Sequence, residues 1–181
     1  PKYMETVWWL LAQLYKKGLI YKGYTIQPYS PKAGTGLSSH ELNQPGTYQD
    51  VTDTTVVAQF KAIKNTLPTI LKEVEGDIYF LAWTTTPWTL PSNTALTVGK
   101  KIDYVLVKTF NQYTFKPTCV ILAKSLVSKQ FSKKFFTVEN ESDLAAYKNE
   151  DKKIPFFVAK EFKGADIVES KYEQLMPYAL P

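Results

Sequence analysis

Five short runs of apolar residues constrain the fold of this chain more than any other feature of its sequence. They are rich in β-branched and aromatic residues, which favour strands, and they occupy residues 55–62, 78–84, 103–110, 118–123 and 156–162. Helical patterns lie between some of the runs, as at residues 124–135, but strand and helix do not alternate regularly. We therefore predict an α+β fold, with a barrel-like mixed β-sheet and interspersed helices.

The beginning of the chain predicts a helix that needs a partner. Apolar residues recur every three or four positions from Tyr3 to Lys17, and Gly18 follows as a helix stop. Trp8 and Trp9 extend the apolar surface around most of the helix. A helix on a small domain does not normally expose so much apolar surface, so we expect this one to dock on a larger body.

A connector rich in glycine, proline and serine separates this helix from the strand-rich part. It runs from Ser30 to Asp50 and carries few apolar residues. We therefore predict two parts: residues 1–48, a helix with its connector, and residues 49–181, a strand-rich domain.

The charge balance permits a nucleic-acid partner without requiring one. The net charge is +5, and all 22 basic residues are lysines. Arginine is the usual bidentate reader of guanine, so its absence disfavours base-specific recognition of a duplex. No apolar run approaches the roughly 20 residues of a membrane span, and the first residues do not have the pattern of a signal peptide. We expect a cytoplasmic protein with no membrane partner.

Several kinds of catalytic and metal site have no support in the sequence. There is no Cys-x-x-Cys, no phosphate-binding Gly-x-x-x-x-Gly-Lys-Ser/Thr and no Gly-x-Ser-x-Gly, and His40 is the only histidine. The single cysteine, Cys119, begins an apolar run and is expected to be a buried core thiol. We predict no metal site.

The stretch WTTTPWTLPSN, residues 83–93, is the strongest candidate for a binding site. Threonine hydroxyls and an asparagine amide form hydrogen bonds without titrating near neutral pH, so they suit a neutral polar ligand or a water molecule. Two prolines restrict the backbone of this loop. The sequence also predicts a helix that begins near Pro91 and ends at Gly99. From the residues alone, a ligand-binding loop and a capped strand end explain the stretch equally well.

The same stretch resembles the threonine-rich motif in the editing domain of isoleucyl-tRNA synthetases, an insertion in these class I enzymes. Residues 3–42 resemble the segment that leads out of their catalytic body, and residues 43–61 resemble the start of the insertion. Valyl and leucyl relatives typically carry an arginine after the paired threonines, where this chain has Thr86 and Pro87. The resemblance therefore favours the isoleucyl family and assigns residues 1–48 to the catalytic body and 49–181 to the editing domain.

The resemblance implies an enzyme that hydrolyses valine wrongly esterified to the terminal adenosine of the isoleucine tRNA. One missing methylene gives a synthetic pocket limited discrimination, so a second site must remove the error. By resemblance, the threonines surround the adenosine and the aminoacyl ester, Thr89 limits side-chain size, and a positioned water attacks the ester without a metal or cofactor. The implied substrate-binding residues are Thr84, Thr85, Thr86, Thr89 and Asn93, and Trp83 and Trp88 are candidate pocket walls.

The chain also departs from the family pattern. The family carries a Gly-Thr-Gly-Ile/Val-Val-His motif followed by an aspartate that anchors the substrate amino group, and neither occurs here. The HIGH and KMSKS signatures for ATP are absent as well, and Ser30 to Ala33 stand where some relatives have a Cys-Pro-x-Cys zinc knuckle. We therefore expect a piece of a larger enzyme, truncated at the C-terminal end of its editing domain, with no certain catalytic residue and little activity alone.

The resemblance also names the expected partners. They are the aminoacylated 3′ end of tRNA, the valine moiety of mischarged tRNA and the remainder of the synthetase, whose catalytic body would use ATP. Two alternatives stay open. One is a non-catalytic module that holds single-stranded nucleic acid with lysines and stacked aromatic rings. The other is a valyl or leucyl editing domain, which Thr86 and Pro87 disfavour.

Overall fold

The computed structural model describes residues 1–148 and 151–178, and the chain divides into two compact units at residues 1–52 and 53–181. The first unit contains helix α1 (Lys2–Lys16), a short hairpin of β1 (Tyr29–Ser30) with β2 (Thr35–Gly36), and the single-turn helix α2 (Ser39–Leu42). The assignment of residues 1–48 to a catalytic body stays a prediction.

Helix α1 confirms the helix predicted from residues 3–17. Gly18 ends it with a φ of 71°, a backbone conformation that glycine adopts without steric cost. No residue of the helix is buried, and the side chains of Trp8 and Trp9 are 66% and 60% exposed. The wide apolar surface on which the docking prediction rests is therefore exposed in this chain, and docking on a larger body stays a prediction.

A six-stranded mixed sheet forms the centre of the second unit. Its strands, in spatial order β3-β4-β6-β5-β8-β7, are antiparallel except for the pairs β4–β6 and β7–β8. The α+β class and all five strands predicted from the apolar runs are confirmed. The strand bounds are β3 Val56–Lys61, β4 Ile78–Thr84, β5 Asp103–Phe110, β6 Pro117–Ala123, β7 Phe135–Thr137 and β8 Ile154–Lys163.

The sheet does not close into a barrel within the described residues, so that part of the prediction is wrong for them. Closure requires every strand to have two neighbours. Strands β3 and β7 lie at the two edges, and no pairing joins them in residues 1–148 and 151–178. Strand β7 pairs over three positions with β8, and no other described strand pairs with it, so the sheet is open at this edge.

The remaining helices are short. The predicted helix at 124–135 is limited to one 3-10 turn followed by α4, because Phe131 leaves the helix to stack on Phe156 at 4.8 Å between ring centroids. The α-helices of this unit are α3 (Thr69–Lys72) and α4 (Val127–Gln130), and the 3-10 helices are Lys64–Thr66, Pro87–Ser92, Lys124–Leu126, Glu141–Ala146 and Gly164–Ile167. None of the helices in the described part of the chain is long and apolar enough to cross a membrane.

Both faces of the sheet are buried at its two central strands, which explains why β5 and β6 are almost continuously apolar. One face holds Phe60, Phe80 and Leu106, and the other holds Val107 and Phe156, each set within its own apolar cluster. Cys119 is buried as predicted, and burial raises the pKa of its thiol. The central strands therefore supply most of the second unit's stabilising apolar contact.

We expect Leu106→Ala to lower the free energy of unfolding by about 2–5 kcal/mol, because it opens a cavity between close-packed residues. Leu106 is 0% exposed on the central strand β5. Leu126→Ala is the matched control: it deletes the same atoms from a side chain that is 49% exposed. Urea denaturation of both variants measures the difference, and equal losses would contradict the assigned core.

Candidate functional site

A large cavity opens where two parallel strands stop pairing. Strands β4 and β6 are hydrogen-bonded only as far as the partners Phe80 and Ile121, although both continue beyond that point. Because the strands are parallel, their carboxyl ends lie at the same edge of the sheet. A cavity of about 910 Å³ adjoins this edge, and residues 80–83 of β4 and 121–123 of β6 contribute to its lining.

Two segments distant in the sequence complete the walls of this cavity. Residues 95–98 and residues 167–170 line it, together with Tyr104 and Tyr172. The charged side chains in the lining are Lys100, Lys129 and Glu169. A mostly apolar cavity with a few polar groups is the usual form of a small-ligand site.

The threonine loop begins where β4 ends. Thr84 is the last residue of that strand, and its hydroxyl accepts a hydrogen bond from the Thr86 N–H at 3.0 Å. The 3-10 helix Pro87–Ser92 follows, and the Thr89 hydroxyl donates to the Thr86 carbonyl at 2.8 Å. Two threonine side chains therefore hold the backbone of the loop in one shape.

The structure brings the predicted site residues together beside the cavity but does not place the threonines in its wall. All seven predicted residues are in the described part of the chain, and among them only Trp83 lines the cavity. Its ring is 65% exposed. Thr85, Thr89 and Trp88 are exposed, whereas Thr84, Thr86 and Asn93 are half-buried. The predicted position at a strand end is confirmed, and the substrate-binding roles stay predictions.

The loop leaves the hydroxyls of two threonines, Thr85 and Thr86, weakly bonded or unbonded among the described residues. The Thr85 side chain is exposed, and the described residues offer its hydroxyl no hydrogen-bond partner. Thr86 has only a long contact of 3.4 Å between its hydroxyl oxygen and that of Thr84. Thr85 and Thr86 are therefore the two residues best able to contact a ligand or a water molecule, while Thr84 and Thr89 support the loop.

The predicted helix from Pro91 to Gly99 is wrong. The 3-10 helix ends at Ser92, and residues 94–98 are irregular, with Leu96 and Val98 packed against the core and the residues beside them exposed. This alternation is typical of extended chain and is visible in the sequence TALTV. The missed segment forms a cavity wall, so the error concealed part of the candidate site.

A side-chain hydrogen bond connects the end of the loop to Tyr172, which lines the cavity. The Tyr172 hydroxyl donates to Asn93 Oδ1 at 2.5 Å, and Asn93 Nδ2 donates to the Ala95 carbonyl at 3.3 Å. Burial raises the pKa of Tyr172, so its hydroxyl stays protonated as a donor. The sequence contained no pattern that indicated this contact between positions 79 residues apart.

Glu169 supplies the only carboxylate in the described cavity lining, and its backbone is strained. Its φ of 69° lies in the left-handed region, which costs a residue with a side chain about 1–2 kcal/mol.

The described residues contain no group of three or more His, Cys, Asp or Glu side chains arranged as metal ligands.

Comparison with known proteins identifies the family. Residues 1–174 match the family described as tRNA synthetases class I (I, L, M and V). The chain is 61% identical over 180 residues to isoleucine–tRNA ligase of Bacteroides thetaiotaomicron, and 62% identical over 180 residues to that of Bacteroides fragilis. It is 41% identical over 179 residues to the ligase of Clostridium tetani.

These matches cover 99% of the chain but only 14–15% of each relative. The chain belongs to the class I tRNA synthetases. Within that class it is a member of the isoleucine–tRNA ligase family, as its threonine-rich stretch suggested, and it spans about 15% of the length of these relatives.

We expect Thr89→Val to lower the free energy of unfolding by about 0.5–1.5 kcal/mol, because it removes the hydroxyl that donates to the Thr86 carbonyl. Thr85→Val is the matched control in the same loop, and we expect a change within about 0.5 kcal/mol. Urea denaturation of the two variants measures both values. An equal loss in Thr85→Val would mean that its hydroxyl also supports the loop.

We expect Glu169→Gly to raise the free energy of unfolding by up to about 1 kcal/mol, because relief of left-handed strain exceeds the entropic cost of glycine. Glu173→Gly, at a nearby exposed position without a positive φ, is expected to destabilise the chain by about 0.5–1 kcal/mol. Thermal and urea denaturation compare the two. Destabilisation by Glu169→Gly would show that the carboxylate makes a compensating contact.

Proposed function

We propose that this chain is part of the editing domain of an isoleucine–tRNA ligase and takes part in hydrolysing valine wrongly esterified to the isoleucine tRNA. The observation that supports this function best is the position of the threonine loop. The loop starts one residue after Trp83, which lines the 910 Å³ cavity at the carboxyl ends of β4 and β6. Family membership adds the context of an enzyme that attaches amino acids to tRNA.

The cavity has the size and chemistry for the end of an aminoacylated tRNA. Its volume is within the roughly 300–1,000 Å³ typical of small-ligand sites, enough for an adenosine with its aminoacyl group. The exposed ring of Trp83 offers a stacking surface for a base. Lys100 and Lys129 make no ion pair within the described residues, unlike Lys61 and Lys124, and so remain available for phosphates.

The hydroxyl groups suit a reaction that depends on positioning. A water molecule attacks the ester carbonyl, the carbon–oxygen bond to the ribose breaks, and the ribose oxygen takes up a proton. Threonine hydroxyls do not titrate near neutral pH, so Thr85 and Thr86 orient the water or the ester and do not act as bases. Holding the reactants in one geometry accounts for a large part of such a rate. The restriction of side-chain size by Thr89 stays a prediction.

The wider roles follow from the same proposal. The expected macromolecular partner is tRNA, bound through its aminoacylated 3′ end, and the valine moiety is the group removed. The rest of the ligase would supply the synthetic reaction with ATP, in the cytoplasm. We propose that these 181 residues alone hydrolyse the ester slowly, because the family aspartate that anchors the substrate amino group is absent from them.

The test is deacylation of valyl-tRNA by the whole ligase that contains this chain. We expect the ligase to hydrolyse valine from the isoleucine tRNA much faster than isoleucine, and a Thr85→Val, Thr86→Val double variant to lower the valine rate at least tenfold. Attachment of isoleucine to tRNA should be unchanged, which shows that the variant is folded. A variant with full deacylation would exclude these threonines from the reaction.

A second measurement compares the whole ligase with the 181-residue chain. Misplacement of the ester by about 1 Å costs roughly a hundredfold in rate, so we expect the isolated chain to be slower by at least that factor. Equal rates would mean that residues 1–181 supply their own anchor for the amino group. Tight binding of any single-stranded RNA, without deacylation by the whole ligase, would favour the non-catalytic alternative.

A further inference from the structure

We propose that Tyr172 is a positioning residue for the editing reaction, because its hydroxyl holds Asn93 and thereby fixes the threonine loop relative to the cavity. This inference rests on the proposed function and adds a residue 79 positions from the loop's last residue. It also changes the expected role of Asn93, from direct contact with substrate to support of the loop.

The backbone of Tyr172 is fixed on the edge strand of the sheet. Tyr172 forms an isolated antiparallel bridge with Ala62, just beyond the end of β3. On either side of it, the Ile63 N–H donates to the Lys171 carbonyl and the Glu173 N–H donates to the Lys61 carbonyl, both at 2.8 Å. The position of the tyrosine is therefore determined by the sheet.

The ring of Tyr172 is fixed by the core. It packs edge-on against Phe60, with 5.1 Å between ring centroids and 71° between ring planes, and Phe60 is almost completely buried. Edge-to-face contacts of this kind favour one ring orientation. The backbone and ring contacts together fix the direction of the hydroxyl group. Its oxygen lies 2.5 Å from Asn93 Oδ1.

Asn93 connects Tyr172 to the loop through its own hydrogen bonds. Its backbone N–H donates to the Leu90 carbonyl at 3.1 Å, which joins it to the 3-10 helix, and its Nδ2 donates to the Ala95 carbonyl at 3.3 Å. Both ends of the amide are thus occupied within the protein. One end of the threonine loop is continuous with β4, and the bond from Tyr172 attaches the other end to a residue that lines the cavity.

Loss of the bond should therefore affect turnover more than binding. Without it, the segment from Pro87 to Asn93 is attached firmly at one end only, and displacement of the loop by about 1 Å is enough to cost roughly a hundredfold in rate. Contacts of the ligase with the body of the tRNA are not changed. Because the ring remains in Tyr172→Phe, the packing on Phe60 is retained and only the hydroxyl is removed.

The experiment measures deacylation of valyl-tRNA by the whole ligase with Tyr172→Phe. We expect kcat to fall between about tenfold and a hundredfold, with KM for the mischarged tRNA within about twofold and attachment of isoleucine unchanged. Thr109→Val is the matched control. It removes one buried hydroxyl that donates to the Pro155 carbonyl at 2.9 Å, far along the sheet from the loop, and we expect deacylation to be retained.

A double-mutant cycle tests whether Tyr172 acts through Asn93. Asn93→Ala should lower kcat by a similar factor, and the double variant should be no slower than the slower single variant, since both remove one link. Additive losses, or an equal loss in Thr109→Val, would overturn the positioning role. If the unaltered ligase does not deacylate valyl-tRNA, the proposed function itself is wrong. If the unaltered ligase is active and Tyr172→Phe leaves its rate unchanged, only the positioning role of Tyr172 is wrong.

Discussion

The end of hydrogen bonding between β4 and β6 is the constraint on which the candidate site depends. The parallel pairing stops at Phe80 and Ile121 while both strands continue. Buried backbone groups need partners, so strands that separate must end, bend toward other neighbours or border a cavity. Here they border a cavity, and the chain leaves β4 directly into the threonine loop. An antiparallel pair could not have placed both carboxyl ends at this edge.

The sequence predicted the parts of this arrangement that depend on local chemistry. Strands β3, β4, β5, β6 and β8 followed from β-branched and aromatic runs, and helix α1 followed from its helical spacing, because each pattern reflects which faces are buried. The threonine stretch identified the loop because clustered hydroxyls and prolines are uncommon together. The family resemblance then suggested roles for individual residues, which the spacing of Thr84 to Asn93 could not, and these roles stay predictions.

The parts that the sequence did not predict depend on contacts between distant segments. Residues 94–98 were expected to be helical, yet Leu96 and Val98 pack against the core with a two-residue period. The contact of Tyr172 is not visible in the sequence, since a tyrosine among polar residues gives no local indication of the Asn93 amide 79 residues earlier. A barrel-like sheet was predicted from the strand-rich pattern, but that pattern does not determine whether the edge strands β3 and β7 pair, and within the described residues they do not. Such contacts are set by tertiary packing, which overrides local preference.

A site that works through neutral hydroxyl groups has an unusual need for rigidity. A charged base or a metal ion orients its ligand strongly over several ångströms, whereas a hydroxyl hydrogen bond weakens steeply beyond about 3 Å or off its preferred angle. Under the proposed function, discrimination and rate depend on where Thr85 and Thr86 are held. In this chain the holding groups are the Thr84 and Thr89 hydroxyls within the loop and the hydroxyl of Tyr172, a residue of the cavity lining. If the proposed function holds, the residues that support the loop therefore belong to the site as much as those that face the substrate.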